Sequence, residues 1–219
     1  TNVAPEHIEA HGGFENYIAV KRKLFRGVAP GGAIILNRDD VQSASFARVA
    51  MAHTKIWYGH GCIDFSDRHI SLDGVRIDAS GISFMADAVP FRSSLQGAFN
   101  LSNILAATAT GMRYGIPMER VAIAVSRVSG IAGRMEYVQR EPFAVIADYA
   151  HTPDSLRSVY ETLVRDHRRL ICVFGATGGG RDTWKRPEFA KTAEGFCAAV
   201  ILTDEDSYDE DPEKILDGI

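Results

Sequence analysis

L-I-C-V-F-G-A-T-G-G-G-R-D-T-W-K-R-P-E-F-A-K-T-A-E-G-F-C-A-A-V-I-L-T, from Leu170 to Thr203, reads as strand, glycine-rich loop, helix and strand in one run. Leu170 to Phe174 is a short apolar strand, followed by the glycine-rich loop Gly175 to Gly180. Arg186 to Ala198 has helical character, and Ala199 to Thr203 returns to strand. Just upstream, Phe143 to Ala147 reads as a buried-type strand and Pro153 to Asp166 as a helix with Pro153 or Asp154 in its first turn. Together they give β-α-β-α-β, the opening of a doubly wound α/β domain.

The same alternation occurs nearer the start. Ala33 to Asn37 is a strand led in by Gly31 and Gly32, Val41 to His53 a helix, and Lys55 to Tyr58 a strand, as in a parallel sheet. Tyr17 to Arg26 is helical in pattern, with Tyr17, Val20, Lys21 and Leu24 on one face. Between Ile70 and Phe91 apolar and polar residues alternate around D-G and S-G breaks, which is antiparallel hairpin chemistry. Helices follow from about Asn100 to Tyr114 and from Met118 to Val128. A boundary near Val138 to Pro142 divides the chain into residues 1–137 and 138–219.

The 219 residues carry a formal charge of −4, so a nucleic-acid role gains no electrostatic support. No apolar run approaches the roughly 20 residues that span a bilayer. Cys62, Cys172 and Cys197 are odd in number and lack C-x-x-C spacing, which fits a reduced, cytoplasmic protein. The chain begins on Thr and stops inside a helical pattern at Ile219. It therefore reads as a piece of a longer enzyme, whose remaining polypeptide is its expected partner.

Several segments carry candidate chemistry. The loop from Gly175 to Arg186 follows a strand and precedes a helix, so backbone N–H groups and the helix dipole can face an anion. Arg181, Lys185 and Arg186 add full charges; the bland alternative is a flexible glycine loop. Asp148 and His151, in D-Y-A-H-T-P, stand at the carboxyl end of a strand, the edge where open α/β sheets bind ligands. Asp148 or Thr152 could equally cap the next helix. Asn100 and Asn103 share a helical face and match the donor–acceptor edge of adenine, although Asn100 also suits an N-cap. Arg134, in G-R-M-E, could reach a phosphate or simply form a surface salt bridge. His7 and His11 are four apart and form a metal pair only if that segment is helical; Gly12 and Gly13 interrupt the path to Lys21. The acidic run from Thr203 to Pro212 either recognises an amine-bearing substrate or is a solvated loop in which Asp211 caps a helix with Pro212 at N1.

In order, T-N-x-x-x-E-H-x-E-x-H-G, Y-I-A-V-K, F-N-L-S-N-I-L-A-A, G-R-M-E, D-Y-A-H-T-P-D, V-F-G-x-x-G-G-x-R-D-x-x-K-R-P and D-E-D-P span nearly the whole chain. Together they resemble the Mur ligases, most closely the UDP-N-acetylmuramoyl-tripeptide synthetases. The resemblance implies a fold: the later part of a P-loop-type central domain, with a parallel sheet and a small antiparallel sheet, followed by a truncated Rossmann-like domain. It implies an ATP-dependent, amide-forming ligase of peptidoglycan synthesis. Such an enzyme adds the third amino acid, here a diamino acid, to a UDP-N-acetylmuramoyl-dipeptide through an acyl phosphate, with magnesium.

By residue, the resemblance makes His7 a magnesium ligand and Lys21 the lysine that becomes a carbamate, an oxygen donor suited to that ion. It makes Asn100 and Asn103 adenine-side residues. Arg134, Asp148 and His151 become nucleotide contacts, and Arg186 the group that meets the amino acid's carboxylate. Asp206 and Tyr208 stand where diaminopimelate-using members carry D-N-P-R, aligned here with Glu205-Asp206-Ser207-Tyr208, so the added residue stays open. The family's phosphate loop, G-T-x-G-K-[ST], does not occur in these 219 residues, and the chain alone is expected to be inactive. A folylpolyglutamate- or cyanophycin-synthetase-like ligase and a non-catalytic nucleotide-binding relic are the other readings.

Overall fold

The structure, a computed structural model, describes residues 2–49, 54–60 and 68–219. Cys62 and the last four residues of the helix expected over Val41 to His53 lie outside the described residues. The chain divides into two compact units. One comprises Ile18–Ala132 with the described residues up to Val3; the other joins Ala4–Tyr17 to Gly133–Ile219.

In the first unit, β1 (Ala33–Asn37) and β2 (Thr54–Tyr58) pair in parallel, flanking α2 (Ser43–Val49), and β2 continues in parallel to β3 (Arg68–His69). This is the expected β–α–β unit. A three-stranded antiparallel sheet follows, from β4 (Leu72–Asp78), β5 (Gly81–Ala86) and β6 (Val89–Ser93). Alternation decides which face is buried: Ile82 and Phe84 of β5 and Phe91 of β6 turn into the core, and Phe84 stacks on its cross-strand partner Phe91 at 4.9 Å. The helices α3 (Ala98–Arg113) and α4 (Met118–Ser126) complete that core with Leu101, Ile104, Leu105 and Val121. Each such side chain contributes about 1.5–3 kcal/mol by leaving water. Arg113 at the end of α3 donates to the Gly31 carbonyl at 2.8 Å, fastening the helix to the approach of β1.

The helix α1 (Phe14–Arg26) runs across the division between the units. Of the face shared by Tyr17, Val20, Lys21 and Leu24, Tyr17 is buried and the rest is open to solvent, Leu24 being 75 % exposed. Ile18 is buried as well, and Phe25, seven residues on, stacks on Phe46 of α2 at 4.8 Å. Two helical turns return those positions to one side.

The second unit contains β7 (Glu136–Gln139), β8 (Val145–Ala147), α5 (Pro153–Leu163), β9 (Ile171–Phe174), α6 (Lys185–Glu194), β10 (Ala199–Leu202) and α7 (Pro212–Asp217). β9 and β10 pair in parallel, as expected for a doubly wound domain. β8 departs from the expectation. It pairs antiparallel with β7, a strand the sequence pattern did not reveal, and the ladder holds only three residue pairs. With one strand partner among the described residues, the stretch from Phe143 to Ala147 is not buried: Phe143 is 65 % and Val145 40 % exposed. Helix α5 starts on a capping box in which Thr152 and Ser155 each satisfy the other's backbone N–H. Helix α7 starts as expected, with Asp211 accepting from the Glu213 N–H and Pro212 at N1. Among the described residues no helix is long and apolar enough to cross a membrane.

Candidate active site

Several side-chain hydrogen bonds converge on the entrance to α6 in the second unit. No side chain of its own caps this helix. Glu9 supplies the acceptor from a distant stretch of sequence, taking hydrogen bonds from the Thr183 N–H at 3.1 Å, the Thr183 hydroxyl at 3.0 Å and the Trp184 N–H at 3.3 Å. The Thr183 amide, assisted by its hydroxyl and the Trp184 amide, holds the Glu9 carboxyl below the usual carboxylate range. Asp182 answers in the other direction, accepting from the Ile8 N–H at 3.3 Å and the Glu9 N–H at 3.0 Å. Lys185, buried at the first position of α6, places its ammonium 2.7 Å from Glu6 Oε1. The segment from Glu6 to Glu9 is thus bound to α6 by reciprocal charge-assisted hydrogen bonds, the stronger kind.

Glu6, His7 and Asp182 present ligand atoms that all lie within 4.8 Å of one another. Two carboxylates and an imidazole suit a hard divalent cation, and Glu6 Oε2 is buried without a hydrogen-bond partner. His7 adopts a left-handed backbone, with φ of 54°, so the helix that would have paired it with His11 is absent there. His11 instead packs against Tyr17, ring centroids 5.5 Å apart. Lys21 lies on the part of α1 that belongs to the first unit, where it is exposed.

Arg186 is the next residue of α6. Although it is charged, it is 9 % exposed; its Nη2 donates to Glu210 Oε2 at 2.7 Å. The Arg186 guanidinium, with help from the Gly180 N–H, holds the Glu210 carboxyl below its ordinary range. Arg186 Nε is buried and has no partner, and a buried unpaired donor calls for a ligand or water. The glycine loop passes beside this pair. Gly178 donates to the Asp206 carbonyl at 2.9 Å, and a Cβ on Gly178 would come within 2.3 Å of the Ser207 carbonyl oxygen, so only glycine fits. Tyr208 lies over Gly179 with its ring 66 % exposed. Of the residues expected to act together, Asp206 and Tyr208 meet the glycine loop directly, and Arg186 is linked to it through Glu210, which also accepts from the Gly180 N–H.

A further cluster gathers Arg134, Asp148 and His151. Asp148 does not cap α5; it accepts from the Met135 N–H at 2.7 Å and the Ala150 N–H at 2.8 Å. Arg134 stacks over the Tyr149 ring at 4.6 Å, and the His151 ring meets the same tyrosine edge-on, with centroids 5.0 Å apart and Nδ1 2.9 Å from the Tyr149 carbonyl oxygen. Tyr149 was not singled out from the sequence, where it is one aromatic among many. In the first unit Asn100 is not the N-cap: α3 begins after Gly97, and Asn100 is a buried first-turn residue whose Nδ2 donates to the Gln96 carbonyl at 2.8 Å. Asn103 donates to Asn100 Oδ1 at 3.3 Å, which confirms that the two share a face. Glu6, Glu9 and Glu210 were also missed. The first two are visible only as the carboxylates of E-H-x-E, and nothing in their spacing announces α6 as their partner.

The Mur ligase middle domain matches residues 1–111, half of the chain, and the Mur ligase glutamate ligase domain matches residues 133–219. The chain belongs to the Mur ligase family. It is 38 % identical over 223 residues to the UDP-N-acetylmuramoyl-L-alanyl-D-glutamate–2,6-diaminopimelate ligase of Solibacter usitatus, covering 99 % of this chain and 44 % of that protein. The chain thus spans a little under half the length of such a relative. A solved structure of a diaminopimelate ligase of the same name aligns with a TM-score of 0.59 at 28 % identity, over 99 % of this chain and 45 % of that one. MurF from Acinetobacter baumannii aligns with a TM-score of 0.79 over 99 % of this chain and 47 % of that one; at 20 % identity this Mur ligase likeness speaks to fold alone.

Proposed function

We propose that this Mur ligase chain is part of an ATP-dependent ligase that joins a diamino acid, as the third residue, to a UDP-N-acetylmuramoyl-dipeptide in peptidoglycan synthesis. On this reading residues 1–137 belong to the central, ATP-binding domain and 138–219 begin the C-terminal domain, the enzyme working in the cytoplasm. The observation that carries it is Arg186: a buried guanidinium, fixed by Glu210 through Nη2, that keeps its Nε donor unpaired. A carboxylate is the ligand such a donor prefers.

The overall reaction activates the dipeptide carboxylate with ATP as an acyl phosphate, which the amine of the incoming amino acid then attacks. Arg186 holds that amino acid by its carboxylate. Glu210 keeps the guanidinium in one orientation and stays ionised to do so, and Asp206 and Tyr208 flank the same turn, where an acidic group suits the second amine of a diamino acid. Holding the nucleophile in place supplies the orientation that a bimolecular step lacks. Asn100 and Asn103 serve the adenine side, and Arg134, Asp148 and His151 the ribose and phosphates. His7, with Lys21 as a carbamate, would hold magnesium, and the donor set around His7 fits that ion. When bound, the metal offsets the negative charge gathered by phosphates and carboxylate.

The test is phosphate release by the longer polypeptide that carries this chain, supplied with ATP, magnesium, UDP-N-acetylmuramoyl-alanyl-glutamate and single amino acids. Release stimulated by a diamino acid is expected. Stimulation by none of the amino acids sinks the reading. The 219-residue chain on its own should show no substrate-stimulated turnover.

A further inference from the structure

The antiparallel sheet of the first unit carries a row of side chains that the ligase reading does not use. Strand register sets Arg76 of β4 opposite Ser83 of β5, and Ser83 opposite Arg92 of β6. Directly opposed residues share a face, so one serine stands between two arginines. Neighbouring strands lie about 4.8 Å apart, and the two arginine Cα atoms are therefore separated by roughly 10 Å. Two long side chains can close across that span onto one tetrahedral anion. The adjacent positions Ile82 and Phe84 point the other way, into the core, which fixes the direction of the row.

The row lines a cavity of about 440 Å³ whose wall also includes Ser80, Ser94 and Ser126. Beyond the backbone ladder, the side chains of Arg76, Arg92 and Ser83 make no hydrogen bond or salt bridge with a described residue. Asp78 is the one acidic group in the wall; Ser80 donates to it from its hydroxyl at 2.6 Å and its backbone N–H at 2.8 Å, and these bonds, with a smaller contribution from the Arg76 charge, hold its carboxyl below the usual range. The lining is left with two guanidiniums against one carboxylate. Gly81 shapes the end of the cavity. Its φ is +125°, and a Cβ there would meet the Ser93 carbonyl oxygen at 2.0 Å, so no side chain can fill that corner.

We propose that this cavity binds a small phosphomonoester rich in hydroxyls, with Arg76 and Arg92 gripping the phosphate over Ser83 and the remaining serines meeting the organic part. Paired arginines are the preferred partners of a phosphate. The volume lies in the range of metabolite pockets, about 300–1,000 Å³, and exceeds what a bare phosphate fills. Serine hydroxyls both donate and accept, as sugar hydroxyls require. The site stands on the first unit alone and does not depend on the ligase reading.

The test uses amide chemical shifts of the isotopically labelled chain at constant ionic strength, titrated separately with glucose 1-phosphate, inorganic phosphate, glucose and sodium chloride. Saturable shifts at Gly81, Ser83 and Ser94 are expected with glucose 1-phosphate, at least about threefold tighter than with phosphate, and none with glucose or chloride. The double variant Arg76→Gln/Arg92→Gln alters exposed positions and should keep the rest of the spectrum, while weakening binding about tenfold or more. No saturation by about 20 mM glucose 1-phosphate overturns the proposal. So does equal affinity for inorganic phosphate, an equal response to chloride, or unchanged binding in a folded double variant.

Discussion

Glu9 and Thr183, 174 residues apart in sequence, form the cap of α6: the carboxylate of one accepts both the backbone N–H, at 3.1 Å, and the hydroxyl, at 3.0 Å, of the other. A helix whose N-cap is Trp184, which offers no side-chain acceptor, is completed by a group from another part of its unit. Glu9→Ala should lower stability by about 0.5–1 kcal/mol, the lower part of the range for lost caps because the site is exposed. Urea denaturation of the two chains measures it.

The same contact has a pH signature. The folded Glu9 carboxyl titrates below its unfolded value because the Thr183 amide stabilises the charged form. The stabilisation is therefore fully present above the unfolded pKa and is lost as pH falls through the folded one. Between neutral pH and about pH 3 the wild-type chain should lose more stability than Glu9→Gln, which cannot titrate. Parallel melting curves across that interval would contradict the assignment.

Lys185 and Glu6 form a buried pair at 2.7 Å, their side chains 9 % and 16 % exposed. Lys185→Met should cost about 3–5 kcal/mol, because it leaves a buried carboxylate uncompensated. The double variant Glu6→Gln/Lys185→Met should recover most of that loss. Thermal melting of the three chains decides, and a double variant no better than the single one would mean that the pair is not the source of the effect.

Burial pushes the Cys197 thiol up to about 12, and the Cys172 thiol beside it adds to the shift. At neutral pH almost none of it is thiolate, the reactive form. Iodoacetamide should alkylate Cys197 slowly in the native chain and rapidly in urea, as read by peptide mass spectrometry. Fast native alkylation would show the thiol to be accessible and ionised.

Arg186→Lys keeps the charge but loses the planar fork that meets both Glu210 and a carboxylate. In the longer polypeptide, KM for the amino acid should rise about tenfold or more, with KM for ATP little changed. A variant with unaltered KM for the amino acid would remove Arg186 from the acceptor site.

Much of the fold was legible because its signals are local. The parallel β1–α2–β2 unit, the alternation that makes β4 to β6 antiparallel, and the Asp211–Pro212 start of α7 all rest on residues within a few positions of one another. The candidate site was legible as separate segments. Asp206 and Tyr208 meet the glycine loop that leads to Arg186, and Arg134 and His151 contact Tyr149, next to Asp148 in the chain. Two local readings failed for a shared reason. Asn100 looks like a cap but is a first-turn residue, and the shared face of Tyr17, Val20, Lys21 and Leu24 is buried only at Tyr17, because pattern alone does not say which neighbour a helix meets.

By itself the sequence determined most of the elements and their order, and where its basic and acidic side chains cluster along the chain, since periodicity, turn chemistry and charge act over short separations. Only the tertiary structure decided that Ala4–Tyr17 joins the unit of Gly133–Ile219, that β8 pairs with β7, and that Glu9, Asp182, Glu6 and Lys185 complete one another. Hydrogen bonds and ion pairs between remote residues leave no periodic trace along a chain. They exist only once packing has excluded water and set donor against acceptor.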